Sequence, residues 1–195
     1  MSAPHKLSLA VQYATGTEHL PTRPQFRRWI KAALQHDAQI ALRIVDETEG
    51  RALNKNFRGK DYATNVLTFV YDDAEPTPQP PLSGGLTGSS PDCGSVAAQQ
   101  RGTHRRTSCG CKGRLGGVAV PPLSGDIVIC APVVEKEASA QHKELHAHYA
   151  HLTIHAALHL QGYDHENDRD AAAMEACETA LLAKLGYADP YQVVT

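Results

Sequence analysis

The chain is 195 residues long, 42% hydrophobic and 21% charged, with 19 basic and 21 acidic residues and a formal net charge of −2. That composition excludes a fibrous repeat, a wholly disordered chain and a strongly basic nucleic-acid coat, and the length suits one domain with a real core. No run of about 18 apolar residues is present to span a membrane, the first residues do not read as an export signal, and five cysteines in such a chain point to a reduced, cytosolic protein.

The alternating residues of Leu7–Tyr13 predict a first strand. Pro24 opens a helix over residues 24–37, in which Phe26, Trp29, Ile30, Ala33 and Leu34 fall at helical spacing. Gln39–Val45 predicts a second strand, Thr48–Phe57 a short helix, Asn65–Tyr71 a third strand rich in β-formers, and Asp126–Cys130 a fourth. From Pro132 to Leu160 the pattern is helical with a break near Gln141, and Gly162 ends it. Asn167 or Asp168 caps a last helix through Leu185, closed by Gly186. The expected class is α+β: a small mixed β-sheet of about four strands with helices packed on it, and a histidine metal site on a C-terminal helix and the following turn.

Residues 72–125 break this pattern. They are rich in Gly, Pro and Ser, and Pro80-Pro81-Leu82-Ser83-Gly84 recurs 41 residues later as Pro121-Pro122-Leu123-Ser124-Gly125. Removing Gly85–Gly125 leaves 154 residues with a plain loop between the third and fourth strands. The removed stretch has five basic residues and one acid, so the remainder carries a net charge of −6. Residues 1–195 therefore read as a single domain interrupted at 72–125 by an insertion expected to be disordered, tolerated because closure cost grows slowly with loop length. An RNA-gripping basic arm is the competing reading; a passenger is favoured. Cys109-Gly-Cys111 lacks the further ligands that a metal clip needs.

The chemistry concentrates in His155-Ala-Ala-Leu-His159-Leu-Gln-Gly162-Tyr-Asp-His165. Residues four apart share a helix face, so His155 and His159 aim at one spot. Gly162 permits a sharp reversal through positive φ that returns His165 to it. Three neutral imidazoles suit Zn²⁺, one per chain, and leave a fourth position open, which argues for metal-assisted hydrolysis over a closed structural site. His151 extends the row by one turn, as a support to the ligands, a substrate-facing group or a packing histidine. Cys177 is set aside as a fourth ligand because its helix face reads as core. The His155-x3-His159-x2-Gly162-x2-His165 spacing also matches metzincin proteases, but these need Glu directly after the first His, where this chain has Ala156, and the metalloprotease reading is set aside. A second cluster, Asn54–Thr68, crowds Arg58, Lys60 and Asp61 into a helix-to-strand loop, and a guanidinium there can grip a phosphate through two parallel hydrogen bonds.

Taken together these blocks resemble the YbeY family of bacterial endoribonucleases. His155-Ala-Ala-Leu-His159-Leu-Gln-Gly-Tyr-Asp-His165 is similar to the family's H-G-x-L-H-L-x-G-Y-D-H signature, with Ala156 in place of the usual Gly. Phe57-Arg58-Gly-Lys60-Asp61-Tyr-Ala-Thr64-Asn65-Val66-Leu67-Thr-Phe69 resembles its [YF]-R-x-K-D-x-x-T-N-V-L-[ST]-F block, and Gly125-Asp126-Ile127 through Glu135-Lys-Glu137-Ala138 resembles its G-D-I-x-I strand and following helix. The likeness covers the 154 residues outside the insertion. It implies a cytoplasmic, zinc-dependent endoribonuclease specific for single-stranded RNA, acting in small-subunit rRNA 3′-end maturation and ribosome quality control. The implied partners are rRNA and the small ribosomal subunit, with no membrane and no DNA. It also implies His155, His159 and His165 as metal ligands and Arg58 as the catalytic or substrate-binding cation. Asp126 and Asp164 are candidates for the general base or for a group that orients a histidine. The competing class is a zinc-stabilised ribosome-associated factor with little catalysis of its own.

Overall fold

A computed structural model describes residues 5–16, 19–71, 122–165 and 167–192. Its elements run β1 (Leu7–Tyr13), α1 (Arg23–Ala33), β2 (Ala38–Val45), α2 (Glu47–Arg58), β3 (Val66–Tyr71), β4 (Leu123–Cys130), α3 (Ala131–Ala140), α4 (Leu145–Leu160) and α5 (Asp168–Leu185). The strands form one mixed sheet of order β1-β2-β4-β3, with β1·β2 and β2·β4 parallel and β3 antiparallel to β4. The mixed sheet and its packed helices are those the sequence predicts. Among the described residues no helix is long and apolar enough to cross a membrane.

Side chains alternate faces along each strand, and the two faces build two clusters. Ile40, Leu42 and Ile44 of β2 join Ile127 and Ile129 of β4 in the main core, beneath Phe26, Trp29 and Ile30 of α1 and Tyr149, Ile154 and Leu158 of α4. Val45, Val128 and Cys130 turn the other way and meet Leu53 of α2 and Val133 of α3.

The central helix is α4, which packs against α1, α3, α5, β3 and β4. Glu144 caps it by accepting a hydrogen bond from the Ala147 amide at 3.1 Å. Apolar residues bury most of its circumference, as expected of a helix surrounded by others. A half-buried stripe of His151, His155 and His159 is left along one side.

Two boundaries depart from expectation by more than one residue. First, α1 stops at Ala33 rather than running to residue 37, because the Gln35 amide donates to Gln161 Oε1 at 2.7 Å and Gln35 Nε2 to the Tyr163 hydroxyl at 2.7 Å. The end of α1 is thus tied to the turn after α4. Second, β4 begins at Leu123, not Asp126: Leu123, Ser124 and Gly125 pair with Ala38, Gln39 and Ile40 of β2. The irregular stretch read as 72–125 therefore ends before Leu123, since the second copy of the repeat is recruited into the sheet. The rest of the inserted segment, residues 72–121, lies outside the described residues. Gly125 sits where two elements close on it: a Cβ there would lie 2.5 Å from Leu160 Cδ2 and 2.5 Å from the Phe69 carbonyl oxygen.

Candidate metal centre

The turn after α4 is built by local rules. Gly162 adopts φ +85°, the Tyr163 amide reaches back to the Leu158 carbonyl at 3.2 Å, and the Gly162 amide to that of His159 at 3.0 Å. This is the six-to-one and five-to-two closure of a glycine-terminated helix. Gln161 anchors the turn, with Nε2 donating to the Ala33 carbonyl at 3.0 Å. The chain then reverses, so that His165 lies over the helix stripe, its ring nearly parallel to that of His155 with centroids 5.7 Å apart. One ligand nitrogen from each of His155, His159 and His165 lies within 4.8 Å of the others.

Hydrogen bonds decide which nitrogens carry protons. His159 Nδ1 lies 2.9 Å from the Tyr163 carbonyl oxygen, which only accepts, so Nδ1 is the donor. His155 Nδ1 lies 2.8 Å from Glu178 Oε1. Burial alone would raise the Glu178 carboxyl, but hydrogen bonds from His151, His155 and Tyr191 outweigh it and hold the group at about 2, so it is ionised and accepts. In their neutral forms both rings then present bare Nε2 lone pairs, and these face each other at 3.1 Å. Two lone pairs at that distance repel, and a cation between them removes the repulsion. Two Zn–N bonds of about 2.0–2.1 Å at a tetrahedral angle would set the nitrogens about 3.3 Å apart, so the donor set fits such an ion with little adjustment. Burial lowers the His159 pKa, with His155 the next cause, which favours the neutral ligand form.

The sequence pattern does not single out Glu178. It is fully buried on α5 and also accepts from His151 Nε2 at 2.9 Å and from the Tyr191 hydroxyl. The available signal is a carboxylate in the row Met174, Glu178, Leu182, whose other members are core residues. Asn65, His151, His155, His165, Glu178 and Tyr191 all line one open cleft of about 310 Å³. A parallel link ties the Asn65 block to α4: Glu137 accepts from Asn65 Nδ2 at 3.1 Å and lies 3.1 Å from Nε2 of the buried His148.

The remaining candidates fall as follows. His151 is engaged by Glu178. Asp164 is exposed and accepts from the His165 amide at 2.7 Å, shaping the turn. Asp126 accepts from the Tyr71 hydroxyl at 2.6 Å across the β3–β4 ladder. Arg58 is exposed at the last position of α2, before Gly59 in the left-handed region, and is not among the residues lining the cleft. Asp61 on the same turn is paired by Arg51 at 2.8 Å and Lys55 at 3.3 Å, and Arg58 and Lys60 have no salt-bridge partner among the described residues. Ala156, which stands where a metzincin base would be, is buried in the main core. Cys177 is a half-buried free thiol, its pKa raised by burial.

A family model described as Endoribonuclease YbeY matches residues 12–186. A protein named Endoribonuclease YbeY from Nitrosospira multiformis is 54% identical over 189 residues, covering 96% of this chain and 83% of its own length. Namesakes from Nitrosomonas europaea and Stenotrophomonas maltophilia are each 44% identical, covering 96% of this chain and 87% and 95% of their own lengths. A solution structure of a protein from Thermotoga maritima aligns over 94% of this chain and 99% of its own, at 20% identity and a TM-score of 0.44.

Proposed function

The chain belongs to the endoribonuclease YbeY family, and on that premise we propose that it is a metal-dependent, single-strand-specific endoribonuclease with one zinc ion per chain at His155, His159 and His165. Its proposed work is small-subunit rRNA 3′-end maturation and ribosome quality control in the cytoplasm, with rRNA and the small ribosomal subunit as partners. The family's relatives are named endoribonucleases, which supports the activity. One observation carries the metal reading: the His155 and His159 Nε2 atoms face each other at 3.1 Å while both Nδ1 atoms are engaged by acceptors.

A zinc-class ion bound there supplies Lewis acidity toward a phosphoryl oxygen. The chain's own groups do the rest. Glu178 and the Tyr163 carbonyl hold the two imidazoles in the ligand tautomer. Arg58, exposed at the end of α2 outside the residues that line the cleft and without a salt-bridge partner among the described residues, is the cation proposed to meet the RNA backbone beside the site. Asp164, exposed beside His165, and Asp126 are the two candidate bases, and each already accepts one hydrogen bond, from the His165 amide and the Tyr71 hydroxyl. With an acidic remainder of the chain, RNA binding relies on such local cations and on the ribosomal partner rather than on net charge.

The test is cleavage of a single-stranded RNA oligonucleotide. Internal cuts that cease with chelator and return with zinc support the proposal; cutting that is indifferent to chelator, or absent throughout, contradicts it.

A further inference from the structure

An apolar residue is expected at position 178, between Met174 and Leu182 on the core stripe of α5, yet the residue is Glu178, without measurable exposure. A buried carboxylate is costly unless several donors meet it. Here three do: His155 Nδ1 at 2.8 Å on one oxygen, and His151 Nε2 at 2.9 Å and the Tyr191 hydroxyl on the other. The donors come from two successive turns of α4 and from the segment after α5, so the carboxylate joins three parts of the chain behind the metal centre. A buried charge network of this kind is often no more stabilising than an apolar filling of equal volume. Stability alone therefore does not account for it, and its geometry does: the oxygen on His155 Nδ1 lies on the far side of the ring from Nε2, the atom facing His159.

We infer that Glu178 is a positioning residue for the metal centre: it holds His155 in the Nδ1–H tautomer with Nε2 bare, with His151 and Tyr191 serving only to brace the carboxylate. This rests on the metal reading above. His151 is then a strut and not a fourth ligand, and Tyr191 braces the carboxylate from the segment after α5, in the cleft that all three residues line.

The test uses the full chain and zinc alone. Zinc affinity is measured by competition with a chromophoric chelator for the parent, Glu178→Gln, Glu178→Leu and, on the same helix, Cys177→Ala. Glu178→Gln keeps one acceptor oxygen, so it covers the case in which the leucine variant fails to fold. Loss of the outer partner of a metal-bound imidazole typically weakens metal binding about 10–100-fold. The expected order is parent equal to Cys177→Ala, then Glu178→Gln, then Glu178→Leu, with at least about a tenfold loss at the end. In the metal-free protein, long-range ¹⁵N–¹H spectra should show His155 as the Nδ1–H tautomer in the parent and a mixture in the variants. Affinities within twofold of the parent for both Glu178 variants, or an equal loss in Cys177→Ala, would overturn the inference. A parent that takes up no zinc would instead overturn the metal reading itself.

Discussion

Asn65 and Glu137, 72 residues apart in sequence, meet at 3.1 Å, and the same Glu137 oxygen lies 3.1 Å from Nε2 of His148. One carboxylate thus joins the start of β3 to the helix that carries the metal-site histidines. Burial lowers the pKa of His148, against the opposing pull of Glu137. The folded chain therefore takes up this proton less readily than the unfolded chain, whose histidine titrates near 6.5. Stability from this group is complete above that pH and falls as pH drops through it toward the lower folded value. We predict that the urea midpoint of the metal-free protein declines between pH 7.5 and 5.5, and that His148→Gln flattens the decline. An equally steep decline in the variant would contradict this.

Gly125→Ala should destabilise the chain by about 1–3 kcal/mol, the usual cost of forcing atoms into a filled core. The added methyl would lie 2.5 Å from the Phe69 carbonyl, which is backbone and cannot swing aside. Urea unfolding of the metal-free protein measures it, and unchanged stability would show that β3 and α4 yield more easily than their packing suggests.

Deleting Gly85–Gly125 sets Leu82-Ser83-Gly84 directly before Asp126, so the first copy of the repeat supplies the same residues that Leu123-Ser124-Gly125 place in β4, including the required glycine. Closure of the connection becomes cheaper by about 0.6 kcal/mol for each halving of its length. We propose that the inserted segment is a passenger, and predict that the shortened chain melts at or above the parent temperature and cleaves RNA at the parent rate. A lower melting temperature, or lost activity at physiological salt, would show the segment to be integral.

Arg58→Ala should lower RNA cleavage while zinc content stays at the parent value, since the side chain lies on α2 and not in the histidine cluster. Arg58→Lys should recover only part of the rate, because an ammonium lacks the planar fork. Parent-rate cleavage by Arg58→Ala would remove the residue from the mechanism.

What can be read from the sequence follows the range of the interactions involved. The relation among His155, His159 and His165 depends on helix periodicity and one glycine turn, both local, so residue spacing alone makes it legible. Glu178 acts on His155 across 23 residues, and a glutamate on a helix reads as solvated unless its row of core neighbours is noticed. Leu123-Ser124-Gly125 reads as loop and becomes strand only because β2 and β3 flank it. The end of α1 is likewise set by Gln161, more than a hundred residues away.

The central claim is that three histidines form a metal centre, and elemental analysis of purified protein tests it most directly. The parent should hold one zinc per chain after removal of loosely bound metal, and His159→Ala should hold essentially none and be less stable, because metal binding is linked to folding. Equal zinc content in the two proteins would contradict the assignment.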